Sequence, residues 1–162
     1  MFTTRDILGA LAWLGLTFAA AFIGSRFLPD AWYAGLRKPS WNPPNGVFAP
    51  VWTLLYLMMA AAAWIVWRRH GLQGALVPLG LFVVQLALNC LWSWLFFGRH
   101  RIGAALANIA ALCVVLLATL IAFGRLQPLA GQLMIPYLAW VTFAAFLNFT
   151  IYRLNPSAQP IG

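Results

Sequence analysis

Three sets of residues have types and spacings that suit chemistry. Gln85, Asn89, Trp92 and Phe96 follow one another at intervals of four, three and four, so they share one face of a helix. Trp52, Tyr56, Met59 and Ala63 repeat the pattern, and Tyr137, Trp140, Ala144 and Asn148, at intervals of three, four and four, likewise share one face. Carboxamides, phenols and indoles in an apolar chain suit two tasks. They can hydrogen-bond between helices, or they can wall a pocket with aromatic surface and a few polar anchors. Spacing alone leaves both readings open. Gln85, Asn89 and Asn148 accompany large flat rings on three separate segments, and that combination favours a cavity for a planar ligand.

Other chemistries have little to work with. The acidic residues are Asp6 and Asp30, and the histidines are His70 and His100. The two histidines fall in connections on opposite membrane faces, which rules out a bis-histidine haem site. Cys90 and Cys113 lie singly in apolar runs without a CxxC partner, so they read as small apolar core residues. No metal site, resident cofactor or acid–base pair is implied. No span interior carries an ionisable residue. This argues against a proton pump, a charged-filter channel or an ion-coupled transporter, all of which need such groups at depth.

The elements that position these faces follow from composition. The 162 residues are 64% hydrophobic and 7% charged, with a mean hydropathy of +0.86. A soluble domain carries about 25% charged residues. A bilayer-spanning helix takes about 20 apolar residues. On that measure the sequence predicts an all-α, integral membrane bundle of five transmembrane helices in one domain. The predicted helices are 7–26, 47–67, 75–97, 102–123 and 133–153. The first apolar run is too long for a signal peptide and lacks a good cleavage site. Short connections after the second, third and fourth helices predict that successive helices pack as antiparallel neighbours. No internal repeat suggests an inverted-repeat transporter.

The long connection, residues 27–46, is rich in Pro, Trp and charge, and Asp30 to Leu36 has the makings of one short surface helix. The segment is placed to cover a pocket at the Trp52 end of the second helix. The net charge of +8 is spread in ones and twos between apolar runs, which fits lipid headgroups and not nucleic acid. Six cations on the side of residues 27–46 against four on the other predict that this loop and the C-terminus face the cytoplasm.

Trp32-Tyr33, Lys38-Pro39-Ser40-Trp41-Asn42-Pro43-Pro44, Phe48-Ala49-Pro50-Val51-Trp52, Gln85 to Trp92, and Pro136-Tyr137-Leu138-Ala139-Trp140 with Leu147-Asn148 resemble the translocator protein family. Its bacterial members are the tryptophan-rich sensory proteins, and its mitochondrial members the peripheral-type benzodiazepine receptors. The resemblance runs from the first helix to Asn148. It implies a five-helix bundle, often a homodimer, in a bacterial cell envelope membrane. It also implies that the bundle binds porphyrins such as protoporphyrin IX and haem, sterol-like molecules including cholesterol, and synthetic aromatic ligands.

Carried over by position, the pocket residues are Trp32, Tyr33, Trp41, Asn42, Trp52, Tyr56, Asn89, Trp92, Tyr137, Trp140, Ala144 and Asn148. The family's cholesterol motif is imperfect here: Phe149 stands where its tyrosine belongs, and Tyr152 abuts Arg153. The expected function is a porphyrin-binding receptor or transporter-like protein. One alternative is light-dependent porphyrin breakdown by Trp52 and Trp140 with Tyr33 nearby. The other is a structural or partner-modulating membrane subunit.

Overall fold

A computed structural model describes residues 3–158. Among these residues the regular structure is helical, with no strand. Five helices are long and apolar enough to cross a membrane. They are α1 (Thr4–Gly24), α3 (Asn45–Gly74), α4 (Leu76–Ser93, extended by a π-helical turn, Trp94–Gly98), α5 (Ile102–Leu126) and α6 (Pro128–Leu154). A five-residue helix, α2 (Ala31–Gly35), lies in the connection between α1 and α3.

The helix ends differ from the hydropathy boundaries for local reasons. Thr3 and Asp6 form a reciprocal capping box, which starts α1 before its apolar run begins. Pro128 occupies the first turn of α6, where its missing N–H costs nothing. The helix therefore begins five residues before Leu133. Arg68, Arg69 and His70 stay helical in α3, so His70 belongs to a helix end and not to a loop. Charge marks where a helix leaves lipid, not where it stops. The break comes at Gly71, whose φ of 68° lies in the left-handed region that glycine enters freely.

The five spans form a ring in the order α1, α3, α6, α5, α4. The pairs α4/α5 and α5/α6 are neighbours, as short connections predict. The α3/α4 contact is slight, because α1 sits between those two helices on the ring. Its rings and backbone reach both sides. Phe18 packs near Tyr56 at 6.1 Å, Trp13 meets Phe82 edge-on at 5.8 Å, and Cys90 Sγ donates to the Ala20 carbonyl at 3.3 Å. At the N-terminal end of α1, Trp64 Nε1 donates to the Asp6 carbonyl at 2.8 Å, and Arg68 pairs with Asp6 at 3.1 Å.

The main core fills the ring with Leu55, Met59, Ala62, Ala63, Val66, Phe82, Leu112, Leu116, Phe123, Met134 and Tyr137, among others. A second cluster, at the end that carries α2, gathers Tyr33, Leu36, Phe96, Ile102, Ala105, Leu147 and Ile151. Large apolar side chains such as Leu8, Leu54, Val77, Val114 and Phe146 are exposed on the outside, as lipid-facing positions should be.

Candidate functional site

The three inward faces meet inside the ring, and their polar atoms largely find each other. Asn89 Nδ2 donates to the Tyr56 hydroxyl at 3.0 Å, joining α4 to α3. Trp92 Nε1 donates to Asn148 Oδ1 at 3.0 Å, and Asn148 Nδ2 donates to the Ile102 carbonyl at 3.2 Å. One amide thus ties α4, α6 and the start of α5 together. Asn108, which the sequence reading did not single out, donates to the Leu88 carbonyl at 2.9 Å. Its signal was available: an amide in the apolar run of α5 must find a partner.

Two buried polar atoms differ. Among the described residues, Gln85 Oε1 and the Tyr137 hydroxyl have no hydrogen-bond partner. The other amide atom of Gln85 makes only a long contact to Met59 Sδ at 3.8 Å. A buried donor or acceptor without a partner costs about 1–3 kcal/mol. The Tyr137 phenol therefore keeps unused polar capacity beside Trp52, whose ring meets Tyr137 edge-on at 6.0 Å and lies tilted against Tyr56 at 5.5 Å.

A second aromatic group stands nearer the loop. Trp140 packs against Phe48 at 6.0 Å and Phe143 at 5.7 Å, and Trp41 meets Phe143 at 5.7 Å. Trp41 is 47% exposed. Ala144, one turn from Trp140, is half-buried against the main core.

The structure places Trp32 and Tyr33 elsewhere. Tyr33 is buried in the second cluster, edge-on to Phe96 at 6.1 Å and Phe97 at 5.4 Å. Those two rings come from the π-helical turn, and Trp92 stacks on Phe96 at 5.4 Å. Trp32 packs on Phe96 at 6.0 Å and stacks on His100 at 4.2 Å. Trp32 and Tyr33 thus sit with Phe96 and Phe97 on an aromatic shelf, and Trp92 packs against both this cluster and the main core that holds Trp52. The Tyr33 hydroxyl donates to Asn42 Oδ1 at 3.2 Å, which holds the second half of the loop to the first. Burial pushes the Tyr33 phenol above its usual range, and the bond to Asn42 partly offsets this.

Lys38 Nζ donates to the carbonyls of Tyr33, Ala34 and Leu36, closing the C-terminal end of α2. Asn155 at the end of α6 exchanges two hydrogen bonds, each 2.8 Å, with the backbone of Arg37. Among the described residues no group of three His, Cys, Asp or Glu side chains is placed to hold a metal ion.

Comparison with known proteins agrees with this architecture. The model of the TspO/MBR family matches residues 10–153. The chain is 43% identical to the human translocator protein over 150 residues, covering 88% of this chain and 89% of that one. It is 43% identical to the tryptophan-rich protein TspO of Chlorobaculum tepidum over 159 residues, covering 94% and 99%. It is also 43% identical to the tryptophan-rich sensory protein of Cereibacter sphaeroides over 145 residues, covering 90% of each. With five apolar helices in a closed ring and a family match across most of its length, this chain is a multi-pass membrane protein and belongs to the TspO/MBR family.

Proposed function

We propose that this protein binds flat, hydrophobic, ring-bearing ligands, porphyrins first among them, inside its helix ring, and that it serves a sensory or translocator role. Relatives named as translocator and sensory proteins support the role. The observation that carries the ligand reading is the Trp52–Tyr56–Tyr137 cage, whose Tyr137 hydroxyl has no partner; Gln85 Oε1, on the amide that touches Met59, is a second unpartnered atom in the same core. Aromatic walls match a planar ligand face, and unused polar atoms suit ring nitrogens or carboxyl edges. Trp41 of the loop and Trp140 of α6 both pack against Phe143, on the route by which a ligand enters or leaves.

Titration with protoporphyrin IX, read by tryptophan quenching, tests this. Saturable quenching is expected, with affinity falling about tenfold in Trp52→Ala, the equivalent of about 1.4 kcal/mol of lost ring contact. Quenching that never saturates, or that Trp52→Ala leaves unchanged, counts against the cage. The packing of Trp52 against two phenols also favours a second reading, light-driven breakdown of the bound porphyrin. Illumination must then yield a new absorbing product that Trp52→Phe abolishes; bleaching at the rate of free porphyrin rejects it.

A further inference from the structure

Among the residues that fasten the loop over the ring, His100 enters no functional assignment. His100 lies in the turn between the π-helical end of α4 and α5, with φ of 55°. A non-glycine residue in the left-handed region is uncommon and persists where its surroundings hold it. Two contacts hold this one. The imidazole stacks on Trp32 with ring centres 4.2 Å apart and planes 18° from parallel. Its Nε2 lies 3.0 Å from Asp30 Oδ2. Asp30 also caps α2, accepting a hydrogen bond from the Tyr33 backbone N–H at 3.0 Å. A single side chain thus grips both the cap and the first ring of the covering helix.

We propose that His100 is a proton-operated latch for the 27–44 connection, holding α2 more tightly when its imidazole is charged than when it is neutral. Protonation converts the hydrogen bond to Asp30 into an ion pair and the stack on Trp32 into a cation–π contact, so both strengthen together. Imidazoles as a class change charge between pH 5 and 8.

The acceptor stays charged across that range. The Tyr33 backbone N–H, and after it His100, hold the Asp30 carboxyl below the usual carboxylate range. Other charged groups lie near this contact. Arg99 and Arg101 flank His100 in its own turn, and Arg99 lies over Trp94. Lys38 is bound to α2 carbonyls and lies over the Tyr33 ring. Tyr33, also on α2, keeps its proton there because burial pushes it up. Grip is therefore gained when the imidazole takes up a proton and lost when it gives one up. On the proposed binding function, a neutral His100 gives faster exchange of bound molecules.

Hydrogen exchange of the 30–42 amides, in nanodiscs without ligand and corrected for intrinsic rates, tests the latch independently of any porphyrin binding. Protection is expected to be roughly two- to fivefold greater at about pH 5.5 than at about pH 8, the scale of a half-exposed ion pair. His100→Gln keeps an N–H for Asp30 but cannot titrate, so the difference should vanish while the loop stays protected. Asp30→Asn retains the α2 cap and should also flatten the response, whereas His70→Gln should leave it intact. Equal protection at both pH values in the unmodified protein overturns the latch. So does a pH response that survives His100→Gln.

Discussion

Gly131→Val is expected to cost about 2–3 kcal/mol of stability. A Cβ at Gly131 would lie 2.7 Å from Gly124 Cα, 3.0 Å from Gly124 N and 3.3 Å from the Leu120 carbonyl oxygen. All three atoms are backbone, so no side chain can turn aside, and α5 and α6 must move apart along the seam where they pack. The pair is asymmetric. A Cβ at Gly124 would meet Gly131 Cα at 3.8 Å, an ordinary contact. Gly124→Ala should therefore be close to neutral, or slightly stabilising through helix propensity. Thermal unfolding in detergent, followed by circular dichroism, compares the two. Gly131→Val unfolding at the unmodified protein's temperature would show that the seam has slack.

Asn148→Leu is expected to cost about 2 kcal/mol. Two magnitudes bear on this. Hydrogen bonds between membrane helices average about 0.6 kcal/mol and reach about 1.7. Leaving a buried donor without a partner costs about 1–3 kcal/mol. The second governs here, because leucine leaves the Trp92 indole N–H without its acceptor and removes the tie to the Ile102 carbonyl. A double-mutant cycle with Trp92→Phe, read by the same unfolding measurement, separates the two. Asn148→Leu should cost less once the indole N–H is gone. An equal cost in both backgrounds would mean that the Trp92 bond contributes nothing.

The spans and their inward faces were legible because both follow from transfer energies. Long apolar runs locate the helices, and amides three or four residues apart locate the sides that avoid lipid. The motifs around Trp41, Asn89 and Trp140 went further and pointed to the family. Thr3 and Pro128 were readable helix starts that hydropathy windows passed over, because windows register the bilayer and caps register the backbone.

Other features had no one-dimensional signal. Nothing in the pattern says that α1 lies between α3 and α4, since contact order around a ring depends on which surfaces fit. The π-helical turn at Trp94–Gly98 carries no proline and only a closing glycine, which does not foretell a π turn, yet it brings Phe96 and Phe97 against Tyr33. That is why Trp32 and Tyr33, adjacent to the loop motif in sequence, sit on a shelf of their own and not in the Trp52 cage. His100 is equally silent in sequence. Its place depends on a backbone angle that only the folded turn reveals.

The spans are unequal in length, and the inequality has a mechanical side. At 1.5 Å per residue, the 21 residues of α1 reach about 31 Å, close to the roughly 30 Å of a hydrocarbon core. The 25 residues of α5 and 27 of α6 reach about 38 and 40 Å and must lean or overhang. Thickening the bilayer therefore strains α1 first while the longer α5 and α6 only straighten. This shortest span is the wedge between α3 and α4, and its C-terminal end leads directly into the covering loop. Lipid chain length should thus bear on the mouth of the protein through the helix with the least slack to give.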